Sequence, residues 1–229
     1  MRNLILLHGA LGHSDLFNPY LNALSESFNI YTPLFSGHGN TELPTSGITI
    51  EKYIQELIEF IEVENLEEVC IFGHSMGGYI ALCYTLETPE KVNSVMTLGT
   101  KFDWTEEQAL KESKMLNPSI IIEKIPKYAE LLESQHGSKW KKLLPAIAEM
   151  MISLGKNPPL HNEVIKNIEI PVQIMVGDQD NMVTIEESTA VYRKLTKGKL
   201  TVLPDTKHPI EKVRPNLLLD LMQDFWNMP

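Results

Sequence analysis

Three short clusters in the 229-residue sequence hold residue types that could do chemistry together. The first is Gly73-His74-Ser75-Met76-Gly77-Gly78. It follows an apolar run and opens a helical pattern, the strand–turn–helix setting in which a serine hydroxyl is lifted out of a sharp turn as a nucleophile. Side chains two residues either side would collide in so tight a turn, which accounts for Gly73 and Gly77. The helix behind the serine also leaves free N–H groups for an anion. The second cluster is His8-Gly9-Ala10, directly after the first apolar run. Acyl transfer needs two N–H donors aimed at the developing oxyanion. The residue after the nucleophile, Met76, offers one, and Ala10 is placed to offer the other. Each such donor is worth about 2.7–4 kcal/mol when removed. His8 itself is expected to brace its loop and not to carry protons. The third cluster supplies an acid and a base. Gly177-Asp178-Gln179-Asp180-Asn181-Met182-Val183 follows one apolar run, and Pro204-Asp205-Thr206-Lys207-His208-Pro209 follows the next. A serine nucleophile needs a base to take its proton and an acid to orient that base. His208 is the candidate base, and Asp178 and Asp180 both qualify by type as the acid.

These clusters must be carried by a frame that brings them to one edge. Apolar runs at 4–7, 30–31, 69–72, 92–98, 172–176 and 200–203 are mostly continuous and not alternating, the mark of strands covered on both faces in a parallel sheet. Helical patterns at 15–28, 50–63, 75–87 and 209–226 lie between and after them. Thr184 and Glu187 form a capping box for a further helix that ends near Gly198. The order βαβα predicts a doubly wound α/β sheet. The rhythm breaks from 102 to 168, where only helical patterns occur. Thr105 and Gln108 cap the first. The second carries Ile121, Ile122, Ile125, Tyr128, Leu131 and Leu132, and the third runs from Trp140 to Met151. This stretch is expected to be a helical cap inserted in a core made of 1–101 and 169–229.

Composition narrows the partners. The formal charge of −10 argues against nucleic acid or an anionic membrane, since both favour a basic surface. With 43% hydrophobic and 22% charged residues, the chain reads as an ordinary globular protein. No apolar run is long enough to span a bilayer, and the opening apolar stretch reads as a strand, not as a secretion signal. Cys70 and Cys83 read as reduced, buried thiols, which suits the cytoplasm. No His/Cys spacing suggests a metal, and no cofactor is implied.

The chain resembles the α/β-hydrolase superfamily over nearly its whole length. The nucleophile turn, the His-Gly loop and the chain order Ser75, Asp180, His208 carry the likeness. Family members commonly show G-x-x-D-x-x-V in the acid loop. Gly177, Asp180 and Val183 match it, so the resemblance selects Asp180 over Asp178. The stretch from Ser36 to Thr41 resembles the G-x-G loop of the family, although Leu34 or Phe35 stands where an Asp is common. The usual hairpin before the His-Gly strand is missing, which implies a sheet of about six strands. Ser75 in the nucleophile position argues against relatives that use Asp there. The resemblance implies a serine hydrolase acting on a small or medium ester or thioester. C–C bond hydrolysis, lyase chemistry and cofactor-free perhydrolysis use the same triad, and some members serve as ligand receptors without turnover.

Overall fold

Six parallel strands make one sheet in the computed structural model, which describes residues 1–228. They are β1 (Arg2–Leu7), β2 (Phe28–Tyr31), β3 (Val69–His74), β4 (Val92–Leu98), β5 (Val172–Gly177) and β6 (Gly198–Leu203), in the order β2-β1-β3-β4-β5-β6. The order reverses between β1 and β3. A doubly wound sheet opens a crevice at that point, beyond the strands' C-terminal ends.

Each inner strand is apolar on both faces because each face meets helices. Along β1 the side chains alternate between two cores. Ile5 and Leu7 join one with Tyr53, Leu57 and Ile80, while Leu4 and Leu6 join the other with Tyr20, Leu218 and Trp226. The first core is closed by α2 (Ile50–Val63), α3 (Met76–Glu87) and α9 (Ile185–Tyr192). The second is closed by α1 (Asn18–Leu24) and α10 (Pro215–Trp226). Thr49 caps α2 by accepting from the Lys52 N–H at 3.1 Å. The expected capping box of Thr184 and Glu187 starts α9.

Between β4 and β5 lie α4 (Glu106–Ser113), α5 (Pro118–Lys124), α6 (Pro126–His136), α7 (Trp140–Lys156) and α8 (Asn162–Ile165). This insertion adds no strand. Its apolar side chains, including Leu132, Trp140, Leu144 and Ile147, are buried in the first core together with Tyr79 of α3.

Several expectations are corrected. The pattern at 15–28 is a short 3-10 turn, Ser14–Phe17, followed by α1; Phe28 instead begins β2 and pairs with Arg2. The second helix of the insertion is two, because Pro126 cannot continue α5 and Ile125 before it leaves the helical range at φ −138° and ψ 59°. The last helix starts at Pro215, after a 3-10 turn at Ile210–Lys212. The apolar run at 200–203 is only partly covered: β6 is an edge strand, Leu200 and Leu203 pack on opposite cores, and Val202 is exposed.

Candidate active site

All the candidate residues sit just past C-terminal strand ends: Ala10 after β1, Ser75 after β3, Asp180 after β5 and His208 after β6. Ser75 has φ 52° and ψ −117°, a region L-residues avoid. Its neighbours impose that conformation. Its N–H donates to the Leu98 carbonyl at 2.8 Å, and its own carbonyl accepts from the Thr100 hydroxyl at 3.0 Å. The flanking glycines are required by contact. A Cβ at Gly73 would run into the backbone of Gly78, and one at Gly77 into the Leu7 carbonyl.

His208 Nδ1 lies 2.8 Å from Asp180 Oδ2, and its Nε2 lies 3.2 Å from Ser75 Oγ. With Nδ1–H donating to the carboxylate, Nε2 is the nitrogen left to accept the serine proton. The other carboxylate oxygen of Asp180 accepts from the N–H groups of Met182 at 2.8 Å and Val183 at 2.9 Å. The Asp180 side chain is only 1% exposed. Burial by itself would raise its pKa. The hydrogen bond and charge of His208, with the Met182 and Val183 N–H groups, outweigh burial and hold the carboxyl below the ordinary carboxylate range. Asp178 points elsewhere and accepts the Thr206 N–H at 3.0 Å, tying the acid loop to the loop that bears His208. Of the two candidate acids, Asp180 is the one that meets His208.

Ala10 and Met76 line one cleft with Ser75 and His208. Among the described residues, no hydrogen bond within the protein uses the N–H of either. The Gly9 carbonyl accepts from the Gly12 N–H at 3.0 Å and pairs with His8 Nδ1 at 2.8 Å. That carbonyl shares a planar peptide with the Ala10 N–H, so anchoring one aims the other in the opposite direction. His8 Nε2 accepts from the Phe35 N–H at 3.3 Å, which makes Nδ1 the donor. His8 is thus a brace, as its position suggested.

Two further imidazoles, neither singled out by the sequence, grip the next residue. The N–H of Leu11 donates to His38 Nε2 at 3.1 Å, and its carbonyl pairs with His136 Nε2 at 3.1 Å. Leu11 itself is held at φ 60°. His136 ends α6, and its Nδ1 accepts from the Gly39 N–H at 2.9 Å. Burial lowers the pKa of these rings, to about 4 for His8 and well below 6.5 for His38, with His136 also lowered. His74 is held at about 3 by burial, and its Nε2–H donates to the His208 carbonyl at 3.0 Å. No sequence pattern marked His136, because its partners belong to two other loops.

The cleft is walled by both parts of the chain. Tyr79 and Val183 come from the core, while Trp104, Met150 and Leu154 come from the insertion. Lys101, on the loop after β4, also lines it and went unnoticed in the sequence. The only available hint was a charged residue just past the C-terminal end of a strand. Among the described residues, no group of three or more His, Cys, Asp or Glu side chains could hold a metal ion, and no helix is long and apolar enough to cross a membrane.

A family model for the alpha/beta hydrolase fold matches residues 2–115, which hold strands β1 to β4 and the serine turn. The chain belongs to the α/β-hydrolase superfamily. A monoacylglycerol lipase of Bos taurus is 22% identical over 253 residues, covering 97% of this chain and 74% of that protein. The enol-lactonase of Burkholderia xenovorans superposes with a TM-score of 0.79 at 18% identity, over 99% of this chain and 91% of that one. The 2-hydroxy-6-oxo-6-phenylhexa-2,4-dienoate hydrolase of Rhodococcus sp. superposes at 0.80 and 19% identity, over 99% and 90%. This α/β-hydrolase is an enzyme of the hydrolase class.

Proposed function

We propose that the protein is a serine hydrolase of a small or medium carboxylic ester or thioester, working through an acyl-enzyme on Ser75. The observation that carries this reading is the relay of Asp180 Oδ2, His208 and Ser75 Oγ at 2.8 and 3.2 Å. Ser75 Oγ attacks the substrate carbonyl while His208 Nε2 takes its proton. Asp180 keeps the ring in the required tautomer and stabilises the imidazolium. The N–H groups of Ala10 and Met76 hold the negative oxygen of the tetrahedral intermediate. As that intermediate collapses, the bond to the leaving oxygen or sulfur breaks and the imidazolium protonates it. Water, deprotonated by His208, then attacks the acyl-enzyme, releases the acid and returns the proton to Ser75.

The insertion at 102–168 acts as a cap that shapes the substrate site. The support is that Trp104, Met150 and Leu154 line the cleft that holds Ser75. Their apolar surface suits a hydrocarbon portion of the substrate. The test is labelling by a fluorophosphonate, together with turnover of p-nitrophenyl esters of graded chain length and of acyl-CoA thioesters. Wild type should label and turn over, and Ser75→Ala should do neither while keeping its melting temperature. Full activity in Ser75→Ala would overturn the reading.

A further inference from the structure

Lys101 is the cation of the cleft, and its surroundings leave it short of partners. It stands three residues beyond the end of β4, on the loop whose Thr100 bonds to the Ser75 carbonyl. Its side chain is 10% exposed. The ammonium has three protons to donate. One goes to the Met182 carbonyl at 3.1 Å. The Trp104 ring centroid lies 5.9 Å away, and both Met182 and Trp104 line the cleft. Among the described residues, the one carboxylate within ion-pair range, Glu187 Oε2, is 3.9 Å distant, too far for a hydrogen bond.

Glu187 is also committed elsewhere. Its Oε1 accepts from the N–H groups of Phe102 at 2.9 Å and Asp103 at 3.3 Å. Its Oε2 accepts from the N–H of Thr184 at 3.1 Å and the Thr184 hydroxyl at 3.3 Å. These bonds stitch α9 to the start of the insertion and would hold the carboxylate in place without Lys101. A buried ammonium with one hydrogen bond is costly unless a further acceptor completes its shell. The rest of the lining offers little: apart from Glu112 of α4, it is apolar, engaged in the relay, or, like the Tyr79 hydroxyl that accepts the Leu160 N–H, bonded elsewhere. Glu112 is half-buried and makes no ion pair with Lys101 within 4.0 Å.

We propose that Lys101 is the anchor for a carboxylate carried by the substrate, so that this enzyme prefers esters or thioesters bearing a second, anionic acid group. This rests on the hydrolase reading above and deepens it. The acceptor missing from Lys101 comes with the substrate. The apolar walls of Trp104, Met150 and Leu154 hold the carbon chain between that carboxylate and the reacting carbonyl. A carboxylate fits better than a neutral oxygen because a charge-assisted bond in a dry cleft is about twice as strong.

The experiment compares kcat/KM for matched ester pairs. On the acyl side, p-nitrophenyl hemiesters of succinate, glutarate and adipate are set against neutral p-nitrophenyl esters of equal chain length. On the alcohol side, butyryl esters of glycolate are set against their amides. Wild type should favour the carboxylate in at least one arm by roughly 10- to 100-fold, the worth of a hydrogen bond to a charged group. Lys101→Met and Lys101→Gln should lose the preference, with kcat/KM for the carboxylate esters falling far more than for their neutral partners. Lys101→Arg should keep much of it, and Glu112→Gln should increase it by removing a competing charge. A merely structural Lys101 would lower both members of each pair equally, and that result overturns the proposal. So does a wild type without preference in either arm. Fluorophosphonate labelling of each variant separates the outcomes: labelling without selectivity removes only the carboxylate anchor, whereas loss of labelling in wild type removes the hydrolase reading and the anchor together.

Discussion

His136 Nε2 meets the carbonyl of Leu11 at 3.1 Å, and this single contact joins the end of an insertion helix to the residue after Ala10. The same ring accepts the Gly39 N–H, so one imidazole bridges three segments. His136→Ala leaves a buried N–H and a buried carbonyl without partners, each costing about 1–3 kcal/mol. The melting temperature should fall. The rate should change in a particular way, because an oxyanion donor works mainly in the transition state. We expect kcat to drop by on the order of tenfold with KM little changed. His136→Gln, which can both donate and accept, should recover part of both losses. Steady-state kinetics and thermal melts of the two variants test this.

The two acids of the loop after β5 have separable tasks. Asp180 holds His208, and Asp178 holds the Thr206 N–H. Asp180→Asn should lower kcat by up to about 10⁴ with modest loss of stability, through the wrong imidazole tautomer. Asp178→Asn should lower the melting temperature slightly and leave turnover nearly unchanged. Turnover and melting temperature of the pair decide it. A collapse of turnover in Asp178→Asn alone would reverse the assignment.

Acid should unfold this enzyme early. Burial holds His8 at about 4 and His74 at about 3, against 6.5 for an ordinary histidine. Between pH 6.5 and about 4 the unfolded chain binds protons that the folded chain refuses, so stability rises with pH across that window and is lost on acidification. His38 and His136, also lowered by burial, act in the same direction. One pKa unit is worth about 1.4 kcal/mol, so His8 alone accounts for on the order of 3 kcal/mol by pH 4. Asp180, held below the carboxylate range, adds a further loss at still lower pH. Urea midpoints at pH 7.5, 6 and 5 should fall steadily, and His8→Asn should flatten part of the slope. A flat profile would show that these rings are not neutral in the fold.

Chain-length preference should answer to the insertion. Met150 and Leu154 line the cleft that holds Ser75. Leu154→Ala and Met150→Ala should shift the best p-nitrophenyl ester toward longer acyl chains, with a stability cost of about 2–5 kcal/mol for a buried side chain. Unchanged preference in folded variants would make the insertion a decoration of the fold.

Much of this protein was determined locally. The nucleophile turn is six consecutive residues, Gly73 to Gly78, whose glycines answer to backbone contacts within and beside that turn. The inner strands announce themselves by continuous apolar runs, because both faces of β1, β3, β4 and β5 are covered. Helix starts at Thr49, Thr105 and Thr184 follow from capping over three residues. The tertiary structure alone decided what depends on distant partners. The family spacing from Gly177 already selected Asp180, but it is the turn after β5 that points Asp180 at His208 and leaves Asp178 to the Thr206 N–H. His136 finds Gly39 and Leu11 at separations of 97 and 125 residues, and Lys101 finds Met182 at 81. A lone histidine or lysine has no periodicity to betray it. What it does is set by which loops the sheet order β2-β1-β3-β4-β5-β6 brings together at one edge, and that order arises from burying two apolar cores at once.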